Sequence, residues 1–143
     1  MIVKSILSAK GSDVATIAPT ATLADATTIL ADRKIGALVV TGAGGRITGI
    51  ISERDIVRAF AQHGGNALRI PLSEVMTRKV VTCDPSDSVS VLMERMTAGK
   101  FRHLPVTEND QLVGIISIGD VVKYRLTELE FEHHAMRDYI QTA

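Results

Sequence analysis

A short pattern occurs twice in this chain, as Gly49-Ile50-Ile51-Ser52-Glu53-Arg54-Asp55 and as Gly114-Ile115-Ile116-Ser117-Ile118-Gly119-Asp120. In each copy an apolar, β-branched run ends in Ser-x-x-Asp, and Gly, Ser and Asp stand 65 positions from their counterparts. The repeat extends upstream, where Pro19 and Pro85, Thr22 and Ser88, Lys34 and Lys100, Leu38 and Leu104, and Val40 and Val106 are each 66 apart. The offset slips by one within Thr41-Gly42-Ala43-Gly44-Gly45-Arg46, one residue longer than Thr107-Glu108-Asn109-Asp110-Gln111. That places the extra residue in a hairpin turn, where added length costs least. Two copies of so long a period do not make a solenoid, which stacks several short units. They imply two similar halves packed about a pseudo-two-fold axis.

A chain of 143 residues can bury a good core, whereas a half of about seventy residues is marginal by itself. The halves are therefore expected to share an interface. The 16 Lys and Arg balance the 16 Asp and Glu, so no broad positive field favours nucleic acid or an anionic membrane as partner. The chain has no apolar run of the roughly eighteen residues that a membrane span needs. Its start, Met1-Ile2-Val3-Lys4-Ser5-Ile6-Leu7, lacks the apolar region and cleavage site of a secretion signal. A cytoplasmic location is the expectation. Cys83 is the single cysteine, which excludes an intrachain disulfide.

Apolar spacing predicts a helix over 22–34, with Leu23, Ala26, Ile29, Leu30 and Ala31 on one face and Thr22 as its N-cap. β-Branched runs at 37–41 and 46–51 flank a glycine-rich turn and predict a hairpin, followed by a helix from 53 to about 62. The Gly- and Pro-containing stretch 62–71 reads as a linker. The second half repeats the order: a strand near 80–82, a helix over 88–98, strands at 104–106 and 112–116, and a helix from 118. A β-α-β-β-α order used twice is the plan of an α/β (α+β) two-layer sandwich. The expected domains are 1–65 and 66–126, with a helical extension over 127–143. On that extended last helix Val122, Leu126, Leu129, Met136 and Ile140 form an apolar stripe, which either packs back on its own half or meets a partner.

Ser52-x-x-Asp55 and Ser117-x-x-Asp120 fit a capping box, in which Ser and the residue three later satisfy amides at a helix start. Asp is shorter than the usual Glu or Gln, however, and the glycine three residues before each Ser recurs, where a close backbone approach requires it. A helix N-terminus also gathers N–H donors and positive dipole, so it holds a phosphate readily, with Ser as a further donor. A carboxylate in that turn repels phosphate but accepts two hydrogen bonds from a ribose diol. Ser for phosphate and Asp for ribose make a nucleotide-shaped pair.

Over about residues 3–124 the sequence resembles a tandem pair of cystathionine β-synthase (CBS) domains, the Bateman module. The family's G-x-x-[ST]-x-x-D signature stands here as Gly49, Ser52, Asp55 and as Gly114, Ser117, Asp120, preceded by Ile35-Gly36-Ala37-Leu38-Val39-Val40 and Phe101-Arg102-His103-Leu104-Pro105-Val106. The resemblance implies a non-enzymatic regulatory module for adenosine-containing ligands: AMP foremost, with ADP, ATP, NAD and S-adenosylmethionine as alternatives. It implies two clefts, each joining the Asp of one repeat to apolar walls of the other. Carried onto this chain, Ser117 and Asp120 face Ile17, Ala18, Ile35, Gly36 and Ala37, while Ser52 and Asp55 face Val81, Cys83, Phe101, Arg102 and His103. Thr16, Pro105 and Gly119 complete the implied set, and Arg54, Arg102 and His103 are expected within reach of phosphates from either cleft. Because Gly36-Ala37 stands where the second repeat has Arg102-His103, one site is expected to be the stronger. The resemblance further implies a homodimer and a separate regulated protein.

Cys83 has no His or Asp partner in a recognisable motif, and a lone strand cysteine is usually a small core residue. His133-His134, near Glu128, Glu130 and Glu132, point to different sides of a helix, which suits a solvated face better than a metal. Asp84-Pro85-Ser86-Asp87-Ser88 reads as a loop and N-cap. No P-loop, GxGxxG, HExxH or nucleophile elbow is present. Two functions remain: a nucleotide sensor acting on a separate partner, and a structural pair with vestigial pockets that dimerises or docks through its last helix. The Ser and Asp kept in both copies favour the sensor.

Overall fold

The computed structural model describes residues 2–142; Met1 and Ala143, at the outer ends of the expected first domain and helical extension, lie outside the described residues. The elements follow from local chemistry. Thr22 caps α2 (Leu23–Arg33) by accepting from the Asp25 amide at 3.3 Å, while the Asp25 carboxylate accepts from the Thr22 amide at 3.0 Å. The helix ends at Lys34, whose φ of 55° turns the chain towards β2 (Ala37–Thr41). β2 is the central strand, parallel to β1 (Thr16–Ile17) and antiparallel to β3 (Ile47–Ser52), and its Ala37, Leu38, Val39 and Val40 are all buried. α3 (Glu53–His63) leaves directly from the end of β3.

The second half replays this with α5 (Val89–Gly99), β4 (His103–Glu108), β5 (Gln111–Ser117) and α6 (Ile118–Thr142). Lys100 closes α5 at φ 56° as Lys34 closes α2. The slip between the repeats sits where the sequence placed it. Asn109 and Asp110, both at positive φ, make a two-residue turn between the paired Glu108 and Gln111, whereas the first hairpin uses a 3-10 turn at Ala43–Gly45.

The strand expected near 80–82 does not form. Cys83 alone makes a parallel bridge to Val106. In the first half the Val39 amide donates to the Ala15 carbonyl and extends the pairing upstream. Pro105 occupies the position corresponding to Val39 and has no N–H to give, so the ladder stops at Cys83.

The two cores do not follow the two sequence repeats. An unforeseen N-terminal helix, α1 (Val3–Lys10), inserts Val3 and Ile6 beside Cys83, Leu92, Leu104 and Ile116 of the second half. Conversely Ala67, Leu72 and Met76, from the stretch containing α4 (Leu72–Val75), join Leu23, Leu38 and Ile51 of the first. The expected linker is thus partly core: it is a 3-10 segment, Gly64–Arg69, with Ala67 fully buried. Each lobe is completed by the segment preceding the other repeat. This crossed connection ties together halves too small to be robust alone.

α6 runs past its lobe with Val121 buried but Val122, Leu126, Leu129, Met136 and Ile140 between 49% and 68% exposed. The stripe does not pack back on its own half.

Candidate functional site

Both Ser-x-x-Asp motifs form capping boxes at a strand-to-helix junction. At the first, the Ser52 amide donates to Asp55 Oδ2 at 2.9 Å and the Asp55 amide to Ser52 Oγ at 3.4 Å, while the Ser52 hydroxyl turns onto Asp55 Oδ2 at 3.1 Å. The other carboxylate oxygen accepts from Thr77 Oγ1 at 3.1 Å and lies 3.8 Å from Arg58 Nη1. Asp55 is consequently buried, at 6% exposure. The recurring glycine has the same origin. A Cβ on Gly49 would fall 2.6 Å from Met76 Sδ and 2.9 Å from the Thr77 carbonyl oxygen, and one on Gly114 would fall 2.6 Å from Leu7 Cδ2. The backbone approach signalled by the sequence is made by the chain's own exchanged segments.

The second motif keeps its box, with Ser117 N to Asp120 Oδ2 at 2.9 Å and Asp120 N to Ser117 Oγ at 3.1 Å. Its outer partner differs. Lys10 Nζ donates to Asp120 Oδ2 and to the Ile115 carbonyl, both at 2.7 Å. Burial pushes the Asp120 carboxyl up, but the Lys10 and Ser117 hydrogen bonds and the Lys10 charge outweigh it and hold the group below the ordinary carboxylate value.

Between the lobes a cavity of about 570 Å³ has Ser52 and Asp55 in one wall and Val81, Phe101, Arg102 and His103 in the facing one. Its volume is in the range of small-molecule sites, about 300–1,000 Å³. Gly36 lies under the His103 ring, where an added Cβ would come within 3.1 Å of Cε1. The Arg54 guanidinium spans the lobes, donating from Nη1 to the Lys100 carbonyl at 2.7 Å. That bond satisfies an acceptor at the C-terminal end of α5 while leaving the guanidinium charge in the cavity wall. His103 is drawn towards the neutral form, first by burial and then by Lys10 and Arg102, against the opposing pull of Asp120 and Glu53.

Of the residues singled out in the sequence, Ser52, Arg54, Asp55, Val81, Phe101, Arg102, His103 and Gly36 line this one cavity. Gly36 was expected on the Asp120 side. Cys83 does not line the cavity: it is 3% exposed in the second core, and burial, with Asp87 adding to it, pushes its thiol up to about 12. Pro105 is buried in β4, its carbonyl accepting from the Cys83 amide at 3.0 Å. Ile17 and Ala37 are also buried, and Ile35 packs on the first core, while Thr16 and Ala18 are exposed. Gly119 lies in a separate shallow groove along α6, together with Arg102, Val122 and Leu126.

The sequence reading missed Arg58, Thr77, Lys79, Val80 and Lys100 in the main cavity. The available signal was basic residues immediately flanking the expected walls at Val81 and Phe101. Among the described residues no cluster of three or more His, Cys, Asp or Glu is placed to hold a metal ion, and no helix is long and apolar enough to cross a membrane.

The pattern of the CBS domain matches residues 3–62 and 72–127. A mitochondrial CBS domain-containing protein of Arabidopsis thaliana, CBSX3, is 34% identical over 124 residues, which cover 84% of this chain; the chain spans 60% of that relative's length. Among solved structures, the CBS-domain containing protein ATU1752 from Agrobacterium tumefaciens is 49% identical with a TM-score of 0.85, over 87% of this chain and 92% of that one. The CBS domain pair of protein MJ0100, solved in complex with 5′-methylthioadenosine and S-adenosyl-L-methionine, is 26% identical with a TM-score of 0.80, over 90% and 98% of the two chains.

Proposed function

The chain belongs to the CBS domain family, and from that premise we propose that it is a regulatory module that binds an adenine nucleotide between its lobes and thereby alters its affinity for a separate protein. The observation that carries this reading is the cavity itself. It puts the Ser-x-x-Asp helix start opposite Val81 and Phe101, with Arg54, Arg102 and His103 in the wall. Apolar surfaces suit a purine face, and guanidinium forks suit phosphate oxygens. The solved relative with adenosine derivatives bound supports the ligand class. AMP, ADP, ATP and NAD all fit that class. This is binding without chemistry, a reading supported by Ser52 and Asp55 being engaged with each other in the capping box. By linkage, a ligand bridging two lobes alters partner affinity only insofar as it favours one arrangement of them.

Homodimerisation through α6 belongs to the same proposal, supported by its exposed Val122, Leu126, Leu129, Met136 and Ile140. So does a cytoplasmic location with no nucleic acid or membrane partner, supported by the balanced charge. A second reading, a docking pair with vestigial pockets, is favoured by one observation: the Asp55 carboxylate is already fully engaged within the protein.

One experiment separates the two readings. Adenosine, AMP, ADP, ATP, NAD and CMP are added to the dilute protein, and melting temperature and sedimentation are measured. Stabilisation by the adenine nucleotides and not by CMP, on a dimer, is expected. In the Arg102→Ala variant the preference for AMP over adenosine should shrink, by about 1.5–3 kcal/mol, the range for a hydrogen bond to a charged group. Stabilisation by none of these ligands leaves the docking reading, and a monomer at micromolar concentration removes the dimer.

A further inference from the structure

The charges around the cavity are unequal, and the inequality bears on which nucleotide it takes. Five cationic side chains line it, Arg54, Arg58, Lys79, Lys100 and Arg102, against two carboxylates, Glu53 and Asp55. Asp55 is committed to the capping box, to Thr77 and to Arg58. Arg54 is anchored on a neutral carbonyl, so its charge is not cancelled. Lys79, Lys100 and Arg102 make no ion pair among the described residues. Five cations less two carboxylates leave three uncompensated positive charges at one opening.

Those charges come from separate parts of the fold. Arg54 and Arg58 stand on α3, Lys79 on the segment leading to Cys83, and Lys100 and Arg102 in the connection from α5 to β4. All five are solvent-exposed at the rim, so they meet an anion without a desolvation penalty in the apolar interior. A cleft with a net excess of one sign of charge concentrates ligands of the other sign.

We infer that this cleft selects an adenosine ligand carrying two or more phosphates, a nucleoside di- or triphosphate or a pyrophosphate-linked dinucleotide, over AMP, adenosine and S-adenosylmethionine. The inference rests on the proposed adenine-nucleotide reading and narrows it. A monophosphate brings about two negative charges at neutral pH, fewer than the cluster can neutralise. A second phosphate supplies the remainder and extends the anion along the rim, where Lys79 and Lys100 can reach it. Adenosine offers the cluster nothing, and the positive sulfonium of S-adenosylmethionine is repelled by it.

The test is calorimetric titration of the full chain with adenosine, AMP, ADP, ATP and S-adenosylmethionine at low and high salt. A Lys79→Gln, Lys100→Asn double variant is titrated in parallel; Asn is chosen because it tolerates the left-handed backbone at Lys100. ADP and ATP are expected to bind tenfold or more tighter than AMP at low salt, with the advantage shrinking at high salt. In the double variant the ADP-to-AMP ratio should fall to near one while adenosine affinity holds. AMP binding as tightly as ADP, S-adenosylmethionine binding as tightly as ATP, or an unchanged ratio in the variant would overturn the inference and leave the nucleotide reading standing. No binding of any adenosine ligand would remove both.

Discussion

Asp55 and Asp120 stand 65 positions apart at the same place in their lobes, yet the chain holds them by different means. In the first lobe Thr77 does so with fixed groups. Its backbone pairs with Ile50 through two bonds of 2.9 Å, and its hydroxyl donates to Asp55. In the second lobe one ammonium covers both tasks, since Lys10 Nζ reaches the carbonyl of Ile115, the counterpart of Ile50, and the Asp120 carboxylate. The exchanged segments explain the difference. From Leu7, which packs on Gly114, to Ile17 the chain takes ten steps; from Met76, which packs on Gly49, to Cys83 it takes seven. The longer segment lets α1 continue to Lys10 instead of breaking into a strand-like strap. One carboxylate is therefore held at 6% exposure by the short hydroxyl of a residue whose backbone is pinned to Ile50, and the other at 24% by a long, rotatable side chain. Duplication conserved the helix start and left its support free to diverge.

The sharpest way to break this comparison is to put a methyl group where each exchanged segment lies. Gly49→Ala drives Cβ into Met76 and into the Thr77 carbonyl, and backbone cannot step aside without losing the pairing with Ile50. Gly114→Ala meets only the branched end of Leu7, which can rotate. Overpacking of this kind costs about 1–3 kcal/mol, and the Gly49 variant should lie at the upper end and the Gly114 variant at the lower. Urea unfolding measures both; equal midpoints would show that the two supports are equally compliant.

A smaller effect is expected at the carboxylates. Asp55→Ala removes a capping partner, leaves the half-buried Ser52 amide and the Thr77 hydroxyl without their acceptor, and empties a site where the carboxylate itself is buried. An unmet buried group costs about 1–3 kcal/mol. Asp120→Ala should cost about 0.5–1 kcal/mol, near the low end for a helix cap, because water can reach the freed groups. A nucleotide-binding defect in Asp55→Ala is therefore informative only beside its melting temperature. If Asp120→Ala proves the more destabilising, the division into a clamped and a tethered carboxylate is wrong.

The duplication, the hairpins and the helix caps were legible because each is written in a local pattern: Thr22 three residues before Asp25, β-branched runs around a turn, Ser-x-x-Asp after an apolar strand. Much of the candidate cavity was legible for the same reason, since Ser52, Asp55, Phe101, Arg102 and His103 all sit in the repeated motifs. What escaped is non-local. Val3, Ile6 and Leu7 already show helical spacing, but no spacing says which half a helix completes, and α1 crosses to the second. Pro105 ended a strand 22 residues upstream by withholding an amide from its neighbour. Thr77 and Lys10 acquire their roles only once the segments exchange, so nothing adjacent to them in sequence marks them.

The mildest prediction isolates the tether. Lys10→Met keeps an unbranched side chain of similar length and removes the charge, so it should lower stability at neutral pH by less than about 1 kcal/mol, the usual scale for partly exposed ion pairs. Its signature is in the pH dependence. The Asp120 carboxyl lies below its ordinary 3.8 in the folded protein, chiefly through Lys10 among the favourable contacts. A depressed carboxyl adds stability that is fully present above its unfolded value and is lost as pH falls through the folded one, because the unfolded chain then takes up the proton more readily. The melting-temperature gap between wild type and Lys10→Met should therefore be constant from pH 7 to about 5 and close as pH drops below 3.8. The Thr77→Val variant, which removes a neutral donor from Asp55, leaves Asp120 and Lys10 intact and so tests whether the effect belongs to the second lobe. A Lys10→Met gap that persists unchanged to pH 3 would mean that Lys10 stabilises the second lobe through Ile115 and its own packing, with Asp120 a bystander.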